Sequence, residues 1–143
     1  MQTQLRKVVD QVVPRLRAIT EEAAAVKPAP DKWSFKEELG HLIDSAANNH
    51  QRFIRLQLQP ALTLPGYAQE GWVLANQYQQ ASWADLITLW SVYNLHLAFV
   101  IERIDPAHAG RIWHHPEADY TLQFLVDDYV VHMKGHLATI GVV

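Results

Sequence analysis

Apolar residues recur at spacings of three and four in four separate stretches of the chain, the mark of helices with one buried face. The first set is Leu5, Val8, Val9, Val12, Leu16, Ile19 and Ala23. It predicts a helix from Leu5 to near Val26, ended by Pro28 and Pro30, with Pro14 inside it as a kink or a restart. The second helix has a defined start. Ser34-Phe35-Lys36-Glu37 fits the S-x-x-E capping box, with Ser34 as N-cap. It continues to near Gln57, stops before Pro60, and at ~1.5 Å per residue is about 35 Å long. The third helix starts at Ser82, carries Trp83, Leu86, Ile87, Trp90, Tyr93, Leu97, Val100, Ile101 and Ile104, and ends before Pro106. The fourth starts near Thr121, carries Leu122, Leu125, Val126, Tyr129, Met133, Leu137 and Ile140, and is closed by Gly141.

Four amphipathic helices with two long crossovers predict an all-α four-helix bundle. The crossover from Pro60 to Ala81 contains Pro65-Gly66 and a short helical pattern near Glu70–Gln79. That from Asp105 to Tyr120 contains a short extended pattern at Arg111–Trp113. Loops of this length inside a compact domain more often carry function than not.

Composition narrows the chemistry. The chain has 143 residues, 49% of them hydrophobic and 19% charged, enough for a sizeable core in one domain spanning residues 1–143. Its formal net charge is −3, without the basic excess of a nucleic-acid binder. No stretch reads as a signal peptide or approaches the ~20 apolar residues of a spanning helix, so the expected setting is the cytoplasm, away from the membrane. There is no cysteine, which removes disulfides, thiolate metal sites and a cysteine nucleophile. A metal would have to be held by carboxylates and by some of the 8 histidines.

His132 and His136 are four residues apart and share one helix face, at the edge of the Leu125, Tyr129 and Ile140 stripe. Two imidazoles so placed can converge on one ion. The spacing alone is weak, since surface histidines often fall this way, and a third histidine from another core helix is what would strengthen it. The second helix offers His41 and His50, which face roughly opposite directions. His50 lies with Phe35, Leu39, Leu42, Ala46, Phe53 and Ile54. His41 lies with Ser45, Asn48 and Arg52. Either His50 faces inward and His41 belongs to a solvated face, or the helix is covered on both sides and the His41 stripe lines a polar pocket. Periodicity leaves these open.

Other constellations are incomplete. Glu38-Leu39-Gly40-His41 is one Glu-x-x-His motif, but a ferritin-like di-metal centre needs two. The H-E-x-x-H of zincins, the G-x-S-x-G elbow and a Gly-rich phosphate loop are absent. His114 and His115 precede Pro116 in a loop and read as exposed, with a place at a pocket rim as the alternative. His96 and His108 read as solvent groups. Asn94 falls within the apolar face of the third helix, where it is a satisfied core residue or, slightly favoured, part of a pocket. The five tryptophans read as core and loop anchors rather than a ligand cage.

Several of these segments together resemble a known family. Trp33-Ser34, Gly40-His41-Leu42-Ile43-Asp44-Ser45 and Arg52-Phe53 are similar to the second-helix signature of the DinB-like superfamily. The loop Pro65-Gly66-Tyr67-Ala68-Gln69-Glu70-Gly71-Trp72, His115-Pro116, Thr121-Leu122, and Tyr129 through His132 and His136 to Ile140 extend the likeness. The nearest branch holds the bacillithiol S-transferases and metal-dependent hydrolases of the YfiT type.

The resemblance implies a four-helix bundle with up-down-down-up connectivity. It also implies a divalent metal held by one histidine of the second helix and the H-x-x-x-H of the fourth. Carried onto this chain, the ligands are His41, His132 and His136, and Asp44, Ser45, Asn48 and Arg52 become pocket or supporting residues. Zn²⁺ or Ni²⁺ is the favoured ion, with Fe²⁺ or Mn²⁺ as alternatives, because imidazole ligation does not choose among them. Three imidazoles with an open position describe a catalytic rather than a structural metal. The implied function is a metal-dependent thiol S-transferase or hydrolase acting on a small electrophile, with a low-molecular-weight thiol as co-substrate in the first case. Arg52 would hold an acidic group on that partner or form a helix-surface ion pair. A homodimer through exposed helix faces is in keeping with the family. The alternative is a bundle that binds a metal or small ligand without chemistry.

Overall fold

The computed structural model describes all 143 residues. In chain order the elements are α1 (Leu5–Arg17), α2 (Glu21–Ala24), α3 (Phe35–Leu58), β1 (Ala61–Thr63), α4 (Gln69–Asn76), α5 (Trp83–Glu102), β2 (Ile112–His114), β3 (Asp119–Thr121) and α6 (Leu122–Ile140), with 3-10 turns at Tyr78–Gln80 and Pro106–His108. The long helices begin where the sequence caps them. Ser34 and Glu37 form both arms of the capping box on α3. The hydroxyls of Ser82 and Thr121 accept from the Asp85 and Phe124 amides at the starts of α5 and α6. Gly141 closes α6 at φ 87°, in the left-handed region that glycine enters without strain.

Hydrogen bonds at the helix ends fix the directions. The α1 end meets the α5 start, where the Trp83 indole donates to the Leu16 carbonyl. The Met1 amine, at the other end of α1, donates to Ile101 and Ile104 at the end of α5. α1 and α5 are therefore antiparallel. Arg111, just past α5, donates to the Leu56 and Gln57 carbonyls at the end of α3, so α3 and α5 run the same way. The Leu122 amide bonds Arg111 at this same end, and α6 returns from there to bring His132 and His136 back to His41. The order is up-down-down-up, and the parallel middle pair is why the crossovers must be long.

Three differences from the periodicity have physical reasons. The first helix ends at Arg17 rather than near Val26, and passes through Pro14 without stopping. Thr20 caps a separate short helix, α2, whose Glu21 accepts from the buried Lys36 ammonium and from the Trp83 amide. These anchors hold α2 off the α1 axis. Second, the crossovers pair with each other as well as holding a helix. β1 and β2 are parallel, and β2 and β3 antiparallel, in a small sheet ordered β1-β2-β3. Third, Trp83–Glu102 has the length and mean hydropathy, 1.4, of a membrane-spanning helix, against the expectation that no segment does. In this fold α5 is a bundle helix packed between α1 and α3, with Trp90, Leu97 and Ile101 in the core.

Candidate metal centre

His41 lies on the part of α3 that is covered on every side, and none of its surface is exposed. α6 passes alongside and presents His132 and His136 one turn apart. The ring centroids are 5.2 Å (His41–His132), 4.5 Å (His41–His136) and 4.7 Å (His132–His136) apart. His41 Nε2 lies 3.3 Å from His132 Nε2, and one ligating nitrogen from each ring falls within 4.8 Å of the others. On the second helix it is therefore His41, and not His50, that lies in the cluster. His50 is on another face, half-buried, its Nδ1 2.9 Å from the Tyr93 hydroxyl of α5.

The donor set fits a divalent cation. Burial, with the nearby His136 and His132, pushes the His41 pKa down to about 4, so His41 is a neutral imidazole at physiological pH. Burial and His136 lower His132 as well, partly opposed by Asp128. Neutral imidazoles are what a metal requires. The Glu38 carboxylate accepts from His136 Nδ1 at 2.6 Å, which orients the ring with Nε2 toward the cluster. His41 Nδ1 is buried without a partner. Trp33 covers the cluster, its ring 5.0 Å from His41 and 6.4 Å from His136.

A pocket of about 420 Å³ opens beside His132. Ser45, Asn49 and Arg52 of α3 and Asp128 and Tyr129 of α6 line it. Tyr67, Trp113, His115 and Tyr120 come from the crossovers that the small sheet ties together. Burial raises the Tyr67 pKa to about 12, so its hydroxyl keeps its proton.

The remaining candidates fall in different places. Ser45 and Arg52 line the pocket. Asp44 and Asn48 do not. Asp44 points toward the crossover and accepts from the Tyr78 hydroxyl at 2.6 Å and from Asn76 at 3.1 Å, while Asn48 donates to the Asp44 carbonyl on its own helix. Asn94, slightly favoured above as a pocket residue, is a satisfied core group: it accepts from the Tyr129 hydroxyl at 2.6 Å and donates to the Trp90 carbonyl. His115 reaches the pocket, as in the rim alternative, whereas His114 is exposed and pairs with Asp119. His96 is exposed, but His108 is half-buried, contrary to its reading as a solvent group. Trp33 and Trp113 stand at the site rather than serving only as anchors. Periodicity missed Glu38 and Asn49. Glu38 was legible as the first residue of Glu-x-x-His, but its partner lies on α6 rather than its own helix.

Comparison with known proteins agrees with this architecture. A family model described as the DinB superfamily matches residues 4–140. Among solved structures, YfiT from Bacillus subtilis is similar, with a TM-score of 0.72 and 18% identity over 94% of this chain and 81% of that one. It is described as a probable metal-dependent hydrolase with an unusual four-helix bundle topology. Likeness at this identity establishes the shared fold. No curated protein matches the chain.

Proposed function

We propose that this chain, which belongs to the DinB superfamily, holds one divalent metal ion through His41, His132 and His136 and acts on a small electrophilic substrate in the adjoining pocket. The observation that carries this reading is the convergence of three imidazoles from two helices, their ligating atoms within 4.8 Å of one another. When bound, such an ion supplies Lewis acidity that lowers the pKa of a coordinated water or thiol toward neutrality. The protein's own groups do the rest. Burial keeps His41 unprotonated. Glu38 fixes the orientation of His136. The pocket meets the cluster at His132, so a molecule seated there lies beside the ligands.

Water as the nucleophile makes the chain a hydrolase, the activity in the description of YfiT. A small thiol makes it an S-transferase, and that thiol must be brought in because the chain has no cysteine. Zn²⁺ and Ni²⁺ are the ions to test first. Elemental analysis of tag-free protein purified without chelator should find close to one divalent ion per chain, lost in His41→Ala. The loaded protein should then turn over an activated ester, or a thiol plus an electrophile, and His132→Ala should stay folded without turnover. Absence of metal after reconstitution, or turnover retained in His132→Ala, overturns the proposal. Metal binding without turnover of either substrate class would instead establish the binding-bundle alternative.

A further inference from the structure

Only two cationic side chains are buried in this protein, Lys36 and Arg52. Lys36 has its counter-ion in Glu21. Arg52 is 7% exposed and takes part in none of the chain's ion pairs. Its guanidinium carbon lies over the Trp113 ring, 3.8 Å from the centroid. Nη1 donates to Asn49 Oδ1 at 3.2 Å. Nε is shut off from solvent without an acceptor, and no protein hydrogen bond uses Nη2. The one carboxylate on the pocket wall, Asp128, is exposed and acts on His132.

A desolvated guanidinium with no counter-ion is costly unless a partner completes it. Here it lies over an indole, with Nη2 unused, in the lining of the pocket that reaches His132. Nη2 carries two N–H donors of a charged group, which suit the oxygens of a carboxylate. Tyr67, Trp113 and Tyr120 flank the same space with aromatic surface.

From this geometry we infer that Arg52 is an anion subsite and that the molecule acted on carries a carboxylate bound there, with an apolar or aromatic body between it and the metal-side end. This deepens the metal-enzyme reading and rests on it for the word substrate. The subsite itself depends only on Arg52 and its surroundings, so the two are tested separately.

The test compares benzoate with its neutral isostere benzamide on the full chain, stripped of metal so that no ion competes for the carboxylate. Binding is followed by calorimetry and by the indole N–H signal of Trp113, assigned with Trp113→Phe. Wild type should bind benzoate about tenfold more tightly than benzamide, the discrimination expected of charge-assisted bonds to one guanidinium. Arg52→Gln should abolish that preference. Arg52→Lys should recover it only in part, because an ammonium does not lie over the indole in the same way. Equal binding of the two probes to wild type, no benzoate binding up to its solubility, or a preference that survives Arg52→Gln overturns the inference. The comparison of probes on wild type needs no variant to fold. A chain that prefers benzoate yet never binds metal would refute the metal reading and leave the subsite standing.

Discussion

Gly40 and Gly135 are both helical glycines beside histidines of the candidate metal centre, and the same substitution at each should have opposite effects. A Cβ on Gly40 would lie 2.1 Å from Tyr78 Cδ2, 2.3 Å from Cγ and 2.7 Å from Cε2. Carbon atoms pack at about 3.5 Å or more, so Gly40→Ala forces the ring back by more than about 1 Å. The Tyr78 hydroxyl donates to buried Asp44 at 2.6 Å, a bond that such a shift breaks. Overpacking costs about 1–3 kcal/mol, and loss of the buried hydrogen bond adds about 1 kcal/mol. The helix propensity gained from Gly to Ala returns about 1 kcal/mol. The net is a destabilisation of about 1–3 kcal/mol, a fall in Tm of roughly 3–10 °C for a domain of this size. At Gly135 nothing lies within 4 Å of the added Cβ. There propensity acts alone, stabilising by about 0.5–1 kcal/mol, or about 2–4 °C. Thermal unfolding of both variants beside wild type measures this. A Gly40→Ala protein that melts at or above wild type, or two variants that shift in the same direction, would refute the close-packing reasoning.

Glu38→Gln removes the carboxylate that orients His136, and should weaken metal binding about 10–100-fold, read by competition with a chromophoric chelator; unchanged affinity would separate Glu38 from the site. Burial raises the Asp44 pKa above its usual 3.8, against the Tyr78 hydrogen bond that lowers it. Its protonated form therefore favours folding, and that contribution is lost as pH rises through the folded pKa. Asp44→Asn, compared with wild type in metal-free urea melts, should be the more stable protein at pH 7, with a difference that shrinks as pH falls toward 3.8; a pH-independent difference would contradict this. Asn94→Leu leaves the buried Tyr129 hydroxyl without its acceptor and should cost about 1–3 kcal/mol. Adding Tyr129→Phe to that variant should restore part of the loss, and a purely additive double mutant would argue against the pair.

The bundle was legible because its helices announce their own ends. Ser34, Ser82, Thr121 and Gly141 each do at their terminus what that residue type does best. Of the small sheet only one strand was legible, as the extended pattern at Arg111–Trp113 that overlaps β2; the rest was not, since strands of three residues are too short to show alternation and the β1–β2 pairing joins segments about fifty residues apart. The His41 and His50 alternatives stayed balanced for a related reason. Gly40, His41, Asp44 and Ser45 are as buried as Leu39, Leu42 and Ala46, so α3 has no single apolar stripe in that half. The likeness to the DinB-like superfamily assigned His41, and the fold places it beside His132 and His136. Glu38 and Arg52 depend on partners far along the chain, His136 and Trp113, and no local pattern shows where those fall.

The β1–β2 pairing joins the two crossovers into one body, while all three histidines stay on α3 and α6. The crossover residues of the pocket, Tyr67, Trp113, His115 and Tyr120, thus reside on separately editable parts of the chain, while Ser45, Asn49 and Arg52 stay with the helical frame. The editing is nevertheless coupled. A new segment between α3 and α5 must still offer a strand edge to Ile112–His114, and a new segment between α5 and α6 must still meet Ala61–Thr63. Diversification of this pocket, by evolution or by design, should therefore proceed by matched pairs of loops grafted onto an unchanged helical frame.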